Sequence, residues 1–218
     1  IAHLVRGLLK RKSALSIGIV AFSEAQQAEI EDALQDLGKR DPEFRNLLEA
    51  EFEREEHDQF VGLLVKNLEN IQGDERDVVI MSVCYGHGPD GKMRMNFGPI
   101  NQSGGEKRLN VAFSRAKHHM ALVSSIQYSD ITNEYNDGAN CLRNYLRYAA
   151  AVSCGDMTAA RQVLQDLSAW QQDSEVNRSS PSSVVTTQLA AALRGQGYSV
   201  DHDIGQSHFR CDLAVRSP

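Results

Sequence analysis

The sequence predicts an α/β protein with a mainly parallel sheet flanked by helices. Three observations predict it. A nearly continuous apolar run of strand length occurs at 15–21 (LSIGIVA), as in a buried parallel strand, and 77–84 (DVVIMSVC) and 119–125 (HMALVSS) read as further strands. Segments with apolar residues at helical spacing alternate with them. The composition, 41% hydrophobic and 24% charged over 218 residues, is that of an ordinary globular chain. It excludes disorder and collagen-like repeats and is enough to bury a core.

The elements follow in order. Residues 1–12 read as a short amphipathic helix and 15–21 as the first strand. Ser23 followed by Gln26 is a capping-box signature and Gly38 a plausible stop. Between them Ala25, Ala28, Ala33, Leu34 and Leu37 recur at helical spacing. Asp41-Pro42 suits a helix start, so the acidic stretch 42–58 is predicted helical. Residues 61–68 and 77–84 read as strands separated by the polar NIQGDER. A Gly- and Pro-rich loop at 86–105 is long enough to expect a function of it. A helix is predicted over 106–118, with Leu109, Val111, Ala112, Phe113 and Ala116 on its apolar side, and then the strand 119–125. From 137 to 172 the pattern is helical, with Cys141, Leu142, Tyr145, Leu146 and Ala149 on one face. Residues 173–183 (DSEVNRSSPSS) read as a linker. A helix at 184–194, a stop at Gly195 and Gly197, and strands at 198–203 and 209–215 complete the chain.

Composition narrows the function classes. Cys84, Cys141, Cys154 and Cys211 include no CxxC pair, so neither a zinc ribbon nor a disulfide scaffold is expected and a reducing cytoplasm fits. His118 and His119 are neighbours in a predicted strand, point to opposite faces, and cannot share a metal. No apolar run approaches the ~18 residues a membrane span needs, and residues 1–10 do not read as a signal peptide. The first residue is Ile1 rather than Met, so the chain is expected to be cut from something longer. The formal net charge is −6, but it is unevenly placed. Residues 24–58 hold 13 acidic and 4 basic residues, a local −9 that leaves +3 for the rest. Residues 92–119 hold six basic residues (Lys92, Arg94, Lys107, Arg108, Arg115, Lys117) against Glu106. A solvated acidic face beside a basic surface loop is one reading; a polyanion partner for the basic segment is the other.

Three segments carry the chemistry: SIGIVAFSEAQQAEI (16–30), VKNLENIQGDERDVVIMS (65–82) and GGEKRLNVAFSRAKHHMALVSS (104–125). Their order and strand–loop–helix contexts resemble the second RecA-like domain of superfamily 1 helicases, of the nonsense-decay-helicase type. QGDE before DVVIMS looks like motif V, commonly QGxE before a buried strand. RLNVAFSRAK looks like motif VI, commonly RRLNVALTRAK. The resemblance covers roughly residues 1–150. Departures are visible: Ser23 and Glu24 stand where members often carry Tyr-Arg, Asp74 stands where Arg is frequent, and Phe113-Ser114 replace Leu-Thr.

By that resemblance Arg115 is an arginine finger, a planar permanent cation brought to the γ-phosphate oxygens as charge spreads over them. Arg108 lies seven positions earlier, two turns on a continuous helix; it either reaches a phosphate or braces the loop. In the QGDE loop Gly73 permits a tight turn. The resemblance makes Glu75 the acid that accepts from the ribose, and Gln72 a link between nucleotide and nucleic-acid sites. Gln26, Lys66, Asn67 and Asn70 are candidate nucleic-acid contacts, Lys66 and Asn67 being equally readable as surface polar groups at a strand end. ATP and Mg²⁺ are the implied cofactors. No G-x-x-x-x-G-K-[ST] occurs in the sequence, so the phosphate cradle and most Mg²⁺ ligands are expected in the first RecA-like domain of the same polypeptide. This chain is then expected to be inactive by itself.

The segment LAAALRGQGYSVDHDIGQSHFRCDLAV (189–215) resembles the start of a very-short-patch-repair-like nuclease of the PD-(D/E)xK class. That makes Asp212 a catalytic, Mg²⁺-binding carboxylate, with its partner acid and lysine downstream; a strand-edge acid is the plainer reading. The nuclease-like segment favours DNA over RNA as the partner. The expected organisation is a RecA-like domain over 1–135, a helical extension over 136–175, and a linker with an incomplete nuclease-like domain over 176–218. A restriction- or repair-type nuclease, and a degenerate RecA-like binding module, are the alternative functions.

Overall fold

The computed structural model describes residues 1–11, 13–177, 181–206 and 209–216, and their side chains except at 168–186 and 202–212. In chain order the elements are α1 (Ala2–Lys10), β1 (Ile17–Ala21), α2 (Glu24–Arg40), α3 (Pro42–Phe52), β2 (Glu55–Glu56), β3 (Gln59–Phe60), β4 (Leu64–Asn67), β5 (Arg76–Val83), α4 (Gly105–Phe113), β6 (Ala116–Ser124), α5 (Asp137–Ser153), α6 (Met157–Asn177), α7 (Pro181–Gly195), β7 (Ser199–Gln206) and β8 (Phe209–Arg216). Chain contacts divide it into two units, Ile1–Val163 and Leu164–Pro218.

The first unit is an α/β layer structure of the RecA-like kind. Its sheet has the order β4-β1-β5-β6, with every neighbouring pair parallel. All five residues of β1 are buried, because a central parallel strand is covered on both faces. On one face Val5 and Leu9 of α1, Ile30 and Leu34 of α2, and Phe44 and Leu48 of α3 pack with Ile17, Ile19, Val78 and Ile80. On the other, Leu109 and Ala112 of α4 and Leu142 and Leu146 of α5 pack with Val20, Val79 and Met81.

The helix starts follow their sequence signals. Ser23 Oγ accepts the Gln26 N–H at 3.2 Å and caps α2. Asp41 accepts the Phe44 N–H at 3.1 Å ahead of Pro42 and caps α3. That N–H, with Lys10 beside it, holds the Asp41 carboxyl below the usual carboxylate range. Gly105 opens α4 because a Cβ there would lie 1.8 Å from the Ile100 carbonyl oxygen.

Three predicted elements end differently. The helix expected over 42–58 stops at Phe52, and a two-strand hairpin turning at His57 and Asp58, both with positive φ, follows. Acids at Glu49, Glu51 and Glu53 crowd the negative end of the helix dipole and disfavour extending it. Arg54 instead bonds the Ala14 carbonyl at 2.6 Å and Glu56 at 2.5 Å. The strand expected over 61–68 spans only Leu64–Asn67. The helix expected over 106–118 ends at Phe113, and β6 begins at Ala116. The Arg115 carbonyl accepts the Arg76 N–H at 3.1 Å, so pairing with β5 overrides helix propensity in the Ser-Arg-Ala-Lys stretch.

In the second unit β7 and β8 pair antiparallel, Val200 opposite Val215, and the Arg194 guanidinium donates to the Val200 carbonyl at 2.8 Å. The expected linker 173–183 is helix up to Asn177 and again from Pro181, where proline suits the first helical position; 178–180 lie outside the described residues. Among the described residues no helix is long and apolar enough to cross a membrane.

Candidate functional site

The loop between β4 and β5 is built from both ends. Asn67, buried at the end of β4, accepts the N–H groups of Glu69 and Asn70 on its side-chain oxygen, both at 3.1 Å, an Asx-type turn. Leu68 and Ile71 bury their side chains in the core. Gly73 then takes φ +93, a left-handed conformation that favours glycine. Gln72, Gly73 and Glu75 are exposed. Arg76, buried, closes the loop: its guanidinium donates to the carbonyls of Gly62 (2.9 Å), Glu75 (2.7 Å) and Phe60 (3.4 Å). Burial lowers the pKa of this guanidinium, with Asp74 and Asp77 opposing the shift. Next to it Asp77 accepts from both the Ser16 N–H (2.9 Å) and hydroxyl (2.8 Å), which lock the starts of β5 and β1 together. The Ser16 N–H is the main reason that the Asp77 carboxyl lies below its ordinary range.

Arg115 stands at the same end of the sheet, in the turn between α4 and β6. Its Nε donates to the Val111 carbonyl at 2.9 Å and one terminal nitrogen to the Ser114 hydroxyl at 3.2 Å. The cation thus sits at the C-terminal end of α4, where the dipole favours it. Among the described residues no carboxylate pairs with it. The Arg76–Arg115 backbone bond makes Glu75 and Arg115 neighbours at the starts of adjacent strands.

Arg108 is elsewhere. It lies in the first turn of α4 and donates to the carbonyls of Pro99 and Ser103, both at 3.3 Å. The expectation that Arg108 and Arg115 stand two turns apart on one continuous helix is therefore corrected, because Arg115 lies two residues past the end of α4. Of its two expected roles, bracing is the one visible: it ties down the loop that leads into α4.

Three of the four candidate nucleic-acid residues spend side-chain groups on partners within the chain. The Gln26 amide is engaged inside, accepting the Phe22 N–H at 2.9 Å and donating to the Ser82 hydroxyl at 2.6 Å. It joins the carboxyl ends of β1 and β5. The Asn67 oxygen is taken up in its turn. Lys66 pairs with Asp74 at 2.5 Å. Asn70 is exposed. Near Gln26 a cavity of about 280 Å³ is lined by Phe22, Asn67, Leu68, Tyr85 and Phe97. Tyr85 and Phe97 meet edge to face at 4.8 Å, and burial pushes the Tyr85 phenol up.

Asp212 falls within β8, and its side chain lies outside the described residues. Among the described residues no group of three His, Cys, Asp or Glu side chains could hold a metal ion. Sequence reasoning missed Arg76, Asp77 and Ser16. The signal for Arg76 was a charged residue opening an apolar strand run; nothing local pointed to Ser16, 61 positions away from Asp77.

A family model described as an AAA domain matches residues 1–127. The chain is 36% identical over 143 residues to a Mycoplasma pneumoniae protein named an uncharacterized ATP-dependent helicase, a match covering 63% of this chain and 12% of that protein. It is 34% identical over 142 residues to a protein of the same description from Mycoplasma genitalium, with the same coverage. The chain thus spans about 12% of the length of these relatives.

Proposed function

Because the chain belongs to the AAA domain family through residues 1–127, we propose that it supplies the arginine-finger half of an ATP-hydrolysis site in a nucleic-acid helicase or translocase. The observation that carries this reading is the junction of β5 and β6, where Arg115, a cation with no carboxylate partner among the described residues, and the exposed Glu75 carboxylate flank one backbone hydrogen bond. A cation without a carboxylate partner is free to take phosphate oxygens. A carboxylate beside it is an acceptor for ribose hydroxyls. The names of the Mycoplasma relatives agree with this reading.

Arg115 acts in the transition state. As the γ-phosphoryl group leaves, charge grows on its equatorial oxygens, and a planar guanidinium meets two of them. Lysine offers a point charge with no fork geometry. Glu75, Gln72 and the Gly73 backbone orient the nucleoside end, while Arg108 fixes the loop ahead of α4. Mg²⁺ and the phosphate cradle belong, in this reading, to a first RecA-like domain of the same polypeptide.

Residues 1–135 constitute the motor half, 136–175 a helical extension, and 176–218 a linker and the start of a nuclease-like domain with Asp212 as its metal-binding acid. The helix α7 followed by the β7–β8 hairpin supports that last assignment, and the resemblance to repair-type nucleases favours DNA over RNA; four cysteines without a CxxC pair fit a reducing cytoplasm. The test is ATP turnover by the whole polypeptide that carries this chain. Arg115→Ala should lower kcat by about 10³-fold or more and Arg115→Lys nearly as much, with KM little changed. An unchanged kcat in Arg115→Ala overturns the proposal.

A further inference from the structure

The Lys66–Asp74 pair joins a candidate nucleic-acid contact to the loop that carries the candidate nucleotide residues. Lys66 lies near the end of β4, and Asp74 lies in the loop that carries Gln72 and Glu75. Their side chains are 37% and 28% exposed, so an incoming anion reaches the ammonium without unfolding anything. Asp74 is the only side chain of residues 72–75 with a hydrogen bond among the described residues. The flanking anchors differ in kind: Leu68 and Ile71 are held by the core and Arg76 by three carbonyls. Breaking the Lys66–Asp74 pair therefore loosens Gln72–Glu75 and leaves the ends of the loop in place. The released carboxylate still has the Arg76 charge beside it, so it is not stranded.

We propose that Asp74 is a positioning residue that occupies Lys66 in place of a nucleic-acid phosphate, and that an arriving phosphodiester displaces it and frees the 72–75 loop. The inference rests on the nucleic-acid reading above. A half-exposed carboxylate–ammonium pair biases an equilibrium only a few-fold, so a polyanion with several phosphates outcompetes it. Occupancy of the strand end by nucleic acid then changes the freedom of the residues assigned to the nucleotide.

The experiment measures binding of a fluorescent oligothymidylate to the 218-residue chain across a salt series. Four forms are compared: unsubstituted, Asp74→Asn, Lys66→Met and the double variant, each checked for an unchanged thermal unfolding midpoint. Asp74→Asn should tighten binding about two- to five-fold. Lys66→Met should weaken it and reduce the salt slope by about one. In the Lys66→Met background Asp74→Asn should change nothing. Amide exchange at residues 72–75 should speed up when oligonucleotide binds the unsubstituted chain. If Asp74→Asn tightens binding equally without Lys66, or has no effect with it, or if exchange at 72–75 is unaltered, the inference is overturned while the nucleic-acid reading stands. If the unsubstituted chain shows no salt-dependent binding, that reading fails and this inference with it.

Discussion

The two ends of the parallel sheet are built from similar polar residues and treat them differently. At the carboxyl ends of β1 and β5, Gln26, Phe22 and Ser82 satisfy one another, and Asn67 closes its own turn at the end of β4. At the opposite end, Gln72 and Glu75 are exposed, and among the described residues Arg115 has only neutral partners, a carbonyl and a hydroxyl. Residue type does not separate the two: both ends hold a glutamine, and both hold side chains that bind phosphate or base edges elsewhere. What separates them is whether the backbone nearby has already satisfied its own groups. Arg76 saturates three carbonyls and Asp77 ties down Ser16, so the residues beside them are left free to face a ligand.

That contrast can be broken or sharpened by substitution. Glu75→Ala should raise KM for ATP about ten-fold in the whole polypeptide with kcat nearly unchanged, as loss of one charge-assisted bond to bound nucleotide requires. Steady-state kinetics checks it, and an unaltered KM removes Glu75 from the site. Gln26→Ala should do the reverse. It should cost about 1 kcal/mol in denaturant unfolding, because the Phe22 N–H and Ser82 hydroxyl lose a partner, and leave KM for ATP alone. A large kinetic effect with no loss of stability would return Gln26 to the ligand-binding residues.

Asp77→Asn should show the smallest effect, roughly 0.5–1 kcal/mol at neutral pH for a partly solvated acceptor. The folded carboxyl titrates below its ordinary value, so its contribution is present above about pH 4 and fades as pH falls through the depressed folded value. The variant should therefore lose less stability between neutral pH and pH 3 than the unsubstituted chain. Parallel pH dependences would show that the Ser16–Asp77 lock contributes nothing.

The strands of this fold are legible in the sequence because burial on both faces writes itself as LSIGIVA and DVVIMSVC. Helix ends are less so. Ser114-Arg115-Ala116-Lys117 is compatible with helix, and the turn there is set by Arg76, 39 positions upstream. The hairpin at 55–60 left a weak signal in His57-Asp58, two residue types enriched at the positive φ they adopt here. At the site, Arg115 and Glu75 are marked by the RLNVAFSRAK and QGDE segments, whereas the internal engagement of Gln26 is not. Its donor partner is the Phe22 N–H and its acceptor the Ser82 hydroxyl, and no local pattern reports the contact with Ser82 across 56 positions. The Lys66–Asp74 pair is hidden for the same reason, since a lysine at a strand end looks the same free or paired.

The central claim is that this chain holds half of a hydrolytic site. The most direct test is ATP turnover by the 218-residue chain alone, beside its Arg115→Ala variant. Neither form should turn over ATP above background, because the sequence has no G-x-x-x-x-G-K-[ST] cradle. Robust turnover by the unsubstituted chain that disappears in Arg115→Ala would contradict the account.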